Sequence, residues 1–415
     1  MAYIKTPVKG MIDALPADAK LREYVKGVIS DTYAKFGFSR IETPCVEHIE
    51  NLTGRQGGEN EKLIFKILKR GEKLNLDTDN ADDLCDSGLR YDLTVPLSRY
   101  YANNSANLPV PFKALQIGNV WRAERPQKGR FRQFVQCDID ILGDSTYLAE
   151  IDLISASLTA LANLGFEGFT VRINDRRLLR AMAASCLFPE EDFDKVFIIL
   201  DKLDKIGADG VKAELLSCGY AEENIDKYVR MFEGIDESLS LSEFAEKNGL
   251  TEGPASEAIS SISDIIDCVR LNIQGSVSCK LLFDPSLVRG MSYYTGTIFE
   301  IGVDGYSFSI AGGGRYDEMI GRFSGQKVPA CGFSLGFERI ITILKDKGFT
   351  VPETGKKVAV LVSKNADKES LLKAFSTASS LRASGETVLL TVKQKNVKFQ
   401  KDKLVADGFG EFLEF

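Results

Sequence analysis

Five cations crowd the run Trp121-Arg-Ala-Glu-Arg-Pro-Gln-Lys-Gly-Arg-Phe-Arg-Gln-Phe134: Arg122, Arg125, Lys128, Arg130 and Arg132, arranged around a Pro-Gln-Lys-Gly turn. Guanidinium groups grip phosphate or carboxylate in a bidentate fork and stay charged at any working pH, so the cluster suits a nucleoside triphosphate or a nucleic-acid backbone. A solvated basic hairpin would have the same composition, and other blocks must decide between the two. Asp138 and Asp140 follow on one face of a strand-like segment, where they either bind a ligand or simply alternate outward. Gly312, Gly313 and Gly314 would let a strand backbone approach a ligand without interference from Cβ. His48 is the sole imidazole in 415 residues. A Ser-His-Asp triad, a His-Glu-x-x-His zinc site and a Cys-His nucleophile are therefore disfavoured. What remains is chemistry by positioning and arginine electrostatics.

The elements that must position these groups are legible in outline. Phe112–Ile117 and Phe134–Ile141 alternate apolar and polar residues at the period of half-buried strands, with the Gly129 region as the turn between them. Pro16 and Asp18 open an amphipathic helix whose apolar positions are Leu21, Tyr24, Val25, Val28, Ile29 and Tyr33, closing at Gly37. Ile41–Pro44 reads as extended chain, 54–71 as a loop with a short strand Leu63–Ile67, and the stretch from Arg90 to Gly143 as strand-rich. A helix Asp144–Leu164 and a strand Phe169–Ile173 follow. Residues 174–274 change to short helices rich in Ala, Leu, Ser and acidic side chains, and the pattern reads as an insertion. Strands resume at Cys279–Phe283, and the block ends near Leu344–Gly348. Beyond a linker marked by Pro352, Gly355, Lys356 and Lys357, a βαβαβ run ends at Phe415, for which a parallel sheet with crossover helices is the natural fold.

Composition limits the reading. A chain of this length exceeds one ordinary core, so two or three domains are expected. No apolar run approaches the ~20 residues that span a bilayer, and Met-Ala-Tyr-Ile-Lys lacks the core of a signal peptide. A cytoplasmic protein, with no membrane partner, is the expectation. Eight scattered cysteines, without a Cys-x-x-Cys pair, indicate neither a zinc ribbon nor a disulfide framework and read as mostly buried thiols. A net charge of −7 argues against a generic nucleic-acid binder, but one locally basic surface such as 122–132 suffices for a specific RNA.

The Arg122–Arg132 segment resembles motif 2 of class II aminoacyl-tRNA synthetases, in a spelling close to that of the histidyl-tRNA synthetases. Leu287-Val-Arg-Gly-Met-Ser-Tyr-Tyr-Thr-Gly-Thr-Ile-Phe-Glu300 and Ala311-Gly-Gly-Gly-Arg-Tyr-Asp317 resemble the two signatures of that family. Gly332-Phe-Ser-Leu-Gly-Phe-Glu-Arg339 is similar to class II motif 3, and Gly37–Pro44 is similar to motif 1. Arg90-Tyr-Asp-Leu-Thr-Val-Pro96 completes the set in the family's order.

The resemblance implies an α/β (α+β) fold: an antiparallel class II sheet flanked by helices, a helical insertion and a C-terminal α/β domain that binds the anticodon. Its segments would be 1–173 and 275–348 for the catalytic domain, 174–274 for an insert near the tRNA acceptor stem, 349–357 for the linker and 358–415 for the last domain. The family's last domain normally continues through another strand pair and helix.

It also implies a histidine-tRNA ligase that forms histidyl-adenylate from histidine and ATP, then charges tRNA(His), working as a homodimer seamed by the motif 1 helix and strand with Pro44. Magnesium would travel with ATP; no metal ligands and no tightly bound cofactor are expected. Arg289 and Arg122 would be catalytic, Arg289 by the reacting α-phosphate and Arg122 on that phosphate or the amino-acid carboxylate. Arg122, Glu124, Arg130 and Arg339 would bind ATP. Asp92, Thr94 and Gln136 would hold the α-amino and carboxylate groups, while Asp140 and Tyr294, beside Tyr293, would grip the imidazole. Arg125 and Gln127 would meet the acceptor end of the tRNA. Ser292 departs from the aspartate usual before the two tyrosines. The alternative is a non-catalytic histidine-sensing paralogue that regulates histidine biosynthesis; such relatives tend to lose the signature arginine, which this chain keeps as Arg289.

Overall fold

The computed structural model describes residues 3–415 except 54–58, 79, 127–128, 236–238, 289–292 and 353–354. The chain forms two compact units, Met1–Phe349 and Thr350–Phe415.

Among the described residues of the first unit, strands form two sheets. β1 (Ser39–Arg40) belongs to the larger; β2 (Val46–His48), β3 (Lys66–Leu68) and β4 (Cys85–Leu89) form a small antiparallel sheet in the order β2-β4-β3. β5 (Phe112–Trp121), β6 (Gln133–Leu142), β7 (Phe169–Asp175), β8 (Cys279–Phe283), β9 (Thr297–Val303), β10 (Ala311–Arg315) and β11 (Ala330–Gly336) complete the larger sheet, ordered β1-β5-β6-β11-β10-β9-β7-β8. Its middle is antiparallel from β5 through β7, and only the edge pairs β1/β5 and β7/β8 run parallel.

The alternation in the β5–β6 segments does what it predicts: the two strands pair antiparallel from Phe112 opposite Leu142 to Trp121 opposite Gln133. The strands are not half-exposed, however. Cys137, Ile139 and Ile141 are buried on one face, and Asp138 and Asp140 are buried on the other. The polar face lines a cleft instead of meeting solvent, which overturns the outward-facing alternative for the two aspartates.

The predicted N-terminal helix spans Pro16–Lys35 and buries Leu21, Val25, Ile29, Thr32 and Tyr33. It packs on the helix Leu148–Asn163, with the Tyr33 hydroxyl 3.2 Å from Ser157 Oγ. Arg22 reaches from it to Glu338 through paired bonds of 2.6 and 2.7 Å, joining it to the helix Phe337–Asp346.

Three expectations need correction. The strand-rich stretch after Arg90 contains a helix, Thr94–Asn104, preceded by Asp92, whose Oδ1 accepts the Val95 N–H at 3.2 Å. Pro96 falls in its first turn, where the missing N–H has no intrahelical partner to lose, so the Val-Pro pair does not block the helix. The short strand placed at Leu63–Ile67 lies at Lys66–Leu68, because Glu59–Leu63 coils into a 3₁₀ turn. Of the cysteines, Cys85, Cys137, Cys186 and Cys331 are buried, while Cys45 and Cys268 are exposed and the rest intermediate; the thiols are buried by half, not mostly. Between β7 and β8 the described residues fold as helices, from Arg176–Ser185 to Gly253–Asn272.

The second unit is a three-stranded parallel sheet, β12 (Lys357–Val362), β13 (Thr387–Val392) and β14 (Glu411–Glu414), ordered β13-β12-β14. Helices Lys368–Ala383 and Val397–Ala406 make the crossovers. Val358 to Val362, in the central strand, is its buried core, and Asp367 and Asn396 cap the helices by accepting the Ser370 and Phe399 N–H groups.

Candidate active site

A cleft of ≈ 320 Å³ lies over β6, β11 and β10. In the register of the sheet Gln136 faces Gly336, Asp138 faces Ser334 and Asp140 faces Gly332. Residues opposite each other in neighbouring strands share a face, and all six line the cleft.

Asp92, Thr94, Arg122, Glu124, Arg130, Gln136, Asp140, Tyr293, Tyr294 and Arg339 meet in this one cleft, though they lie far apart in the sequence. Arg125 is exposed and is not among the lining residues. Arg289, Gln127 and Ser292 lie outside the described residues.

The cations are set by specific contacts. Arg122 Nε donates to the Tyr91 carbonyl at 3.0 Å, and its guanidinium lies 5.2 Å from the centre of the Phe134 ring. Arg130 pairs loosely with Glu124 at 3.7 Å. Arg339 donates to the Ser309 carbonyl and lies over the Phe308 ring, 5.3 Å from its centre.

Three carboxylates, Asp92, Asp138 and Asp140, are buried in the same cleft. Burial pushes the Asp92 carboxyl up to about 6, against the pull of the Val95 N–H and Arg122. Burial, aided by the charge of Asp92, pushes Asp138 up to about 7 although Ser334 donates to it. Asp140 is raised well above the ordinary carboxylate range, first by burial and then by Asp138. Buried acceptors without partners cost free energy that a donor-rich ligand recovers. Asp92 Oδ2 and Gln136 Oε1 are two such atoms. A cationic group with several N–H donors is the ligand these acceptors select.

A pH dependence follows, with a definite sign. Raised carboxyl values mean that the folded, empty protein binds protons more tightly than the unfolded chain. The contribution of these groups to stability is fully present below about 4 and is lost as pH rises through about 6 and 7. Asp138→Asn is expected to flatten part of the slope of the melting temperature between about pH 4 and 7, measured without ligand; an unchanged slope would place the burial penalty elsewhere.

Several residues went unassigned in the sequence. Tyr316 donates its hydroxyl to Asp140 Oδ1 at 2.5 Å and packs edge-on against Tyr293. Arg90 is buried and ties Thr43 and Asn119 together through their carbonyls at 2.6 and 2.9 Å, which holds the block carrying Asp92. Arg315 grips Glu150 with two bonds of 2.7 Å and is an anchor to the helix Leu148–Asn163. The glycine triplet serves the cleft only at Gly312. At Gly313 and Gly314 the crowding comes from the neighbouring strands, Gly332 and Phe333 in one case and Thr297 and Ile298 in the other, with Tyr294 pressing on Gly314 as well. Among the described residues no group of His, Cys, Asp and Glu side chains could hold a metal ion.

The antiparallel sheet flanked by helices matches the class II synthetase fold of solved relatives, and the relatives of this chain indicate an ATP-dependent aminoacyl-tRNA ligase. The comparisons with known proteins narrow this. The profile described as histidyl-tRNA synthetase matches residues 10–340. The histidine–tRNA ligase of Leifsonia xyli subsp. xyli is 45% identical over 421 residues, covering 99% of this chain and 95% of that one. That of Korarchaeum cryptofilum is 36% identical over 397 residues, covering 95% and 87%. The crystal structure of histidyl-tRNA synthetase from Nostoc sp. PCC 7120 superposes with a TM-score of 0.81 at 28% identity, covering 98% of this chain and 90% of that one. The chain belongs to the histidyl-tRNA synthetase family. The crystal structure of an ATP phosphoribosyltransferase regulatory subunit/histidyl-tRNA synthetase from Bacillus halodurans C shares the fold, with a TM-score of 0.79 at 21% identity, covering 100% of this chain and 99% of that one.

Proposed function

We propose that the cleft activates histidine with ATP and passes the histidyl group to the terminal ribose of tRNA(His). The observation that carries this reading is the coexistence, in one cleft, of arginines suited to phosphates with buried acceptors suited to an ammonium and an imidazole. In the first step a histidine carboxylate oxygen attacks the α-phosphorus of ATP, the bond to the β-phosphate bridge breaks, and pyrophosphate leaves. In the second, a ribose hydroxyl attacks the histidyl carbonyl and AMP leaves. ATP enters with its magnesium ion as substrate.

Arg122, braced by the Tyr91 carbonyl and the Phe134 ring, holds the α-phosphate or the carboxylate in this reading; Arg130, Glu124 and Arg339 take the rest of the nucleotide. Asp92, Thr94 and Gln136 receive the amino-acid head group. Asp140, oriented by Tyr316, and Tyr294, beside Tyr293, receive the two ring nitrogens. Arg289, by its place in the family signature, stabilises charge at the reacting phosphate; Arg125 and Gln127 serve the acceptor end of the tRNA. The active species is a cytoplasmic homodimer seamed by the helix Pro16–Lys35 and the chain to Pro44.

Exchange of pyrophosphate into ATP tests the first step. Exchange is expected with histidine and with no other amino acid, and to fall by about a hundredfold or more in Arg122→Ala and Arg289→Ala, the scale of losing one preorganised charge donor. Histidine binding without exchange would instead support a histidine sensor.

A further inference from the structure

Gln136 can present either its amide oxygen or its amide nitrogen to the cleft, and only the oxygen can accept from an ammonium. Its orientation follows from three contacts when Asp138 carries its charge. Gln136 Nε2 lies 3.1 and 3.4 Å from the two oxygens of Asp138 and 3.4 Å from Ser334 Oγ. Ser334 donates its only proton to Asp138 Oδ1 at 2.5 Å, which leaves the serine a lone pair for Gln136. Once Asp138 is ionised, its carboxylate and a serine whose proton is committed are both acceptors, so the amide turns its nitrogen to them. Gln136 Oε1 is thereby left buried with no hydrogen-bond partner, as is Asp92 Oδ2 in the same cleft.

We infer that Asp138 is a positioning residue for substrate recognition: with Ser334 it locks the Gln136 amide so that an acceptor, never a donor, meets the α-ammonium of the amino acid. This inference rests on the proposed assignment of Asp92 and Gln136 to that ammonium. Asp138 stands directly opposite Ser334 across the β6–β11 pair. The two strands therefore build the lock from adjacent positions, and a cationic ligand favours the ionised carboxylate that the lock needs.

The test compares two ligands, histidine and 3-(imidazol-4-yl)propionate, which lacks only the ammonium. In the unaltered protein histidine should bind more tightly than the propionate. Equal affinity would overturn both the assignment of the ammonium and this inference. Asp138→Asn keeps the shape but can offer an N–H to Gln136 Oε1 and so release the amide. The KM for histidine is expected to rise by about tenfold to a hundredfold, the scale of a hydrogen bond to a charged group. The inhibition constant of the propionate and the KM for ATP should stay within about twofold. In the double variant Asp138→Asn/Gln136→Glu, the substituted amide donates to the introduced carboxylate, whose other oxygen faces the ammonium, and histidine binding should recover. Equal loss for both ligands, or no recovery in the double variant, would show that Asp138 acts on the imidazole or on packing, and the inference fails while the ammonium assignment stands.

Discussion

Asp140→Asn is expected to lower histidine-dependent pyrophosphate exchange by roughly a hundredfold to a thousandfold, because truncating a buried charged hydrogen-bond partner costs about 2–5 kcal/mol. Asp140 is almost wholly buried and is held by the Tyr316 hydroxyl, so it cannot be replaced by water or by a neighbouring side chain. The asparagine keeps an oxygen for Tyr316 and therefore keeps its place. It removes a carboxyl whose ionisation burial opposes first, and the charges of Asp138 and Asp92 after it, in the empty cleft. The variant should accordingly melt no lower than the parent, and the KM for ATP should hardly move. Activity lost with stability kept is the signature of a carboxylate retained for its ligand. A parallel fall in melting temperature and in the affinity for ATP would mean that Asp140 serves the fold instead.

The largest expected loss of stability belongs to Gly313→Ala. A Cβ there would overlap the Gly332 carbonyl oxygen and come within 2.9 Å of both Phe333 Cα and Phe333 Cδ2. Gly313 pairs with Phe333 in the middle of the eight-stranded sheet, and the Phe333 ring stacks on Phe299 at 4.9 Å. Because two of the three obstructing atoms belong to the backbone of a central strand, rotation of a side chain cannot relieve the overlap. Overpacking of this kind costs about 3 kcal/mol or more. Gly302→Ala on β9 is the matched control, since the nearest atom to its added methyl, the Thr170 carbonyl oxygen, is 3.9 Å away. Denaturant unfolding should separate the two variants clearly. Equal midpoints would show that the central strands can part without cost.

Part of this architecture is legible in the sequence. The β5–β6 hairpin and the helix Pro16–Lys35 follow from alternation and from apolar spacing, both of which are local properties of the chain. The βαβαβ order of the last unit is equally local, with Gly385 and Gly408 marking the ends of its two helices. Where neighbouring signals conflict, the local reading fails. Val95-Pro96 suggests extended chain, yet a helix runs through it, with the Val95 N–H taken up by the buried Asp92.

The cleft divides in the same way. The arginines of the 122–132 hairpin and the resemblance of the ordered motifs to one family named most of the lining residues, because each motif is a short run with its own chemistry. Whether Asp138 and Asp140 face a ligand or solvent could not be read from alternation, which gives a shared face but not what covers it. Tyr316 lies 176 positions from the carboxylate that it orients, and Ser334 lies 196 from Asp138. Such bonds exist only because β11 is inserted between β6 and β10.

The residue types, their order and the family they belong to were determined by the chain alone, since these depend on covalent spacing. Burial, the raised carboxyls, the orphaned acceptors and the orientation of the Gln136 amide were decided only by the tertiary structure, because desolvation and hydrogen bonding depend on which distant strands close over a group.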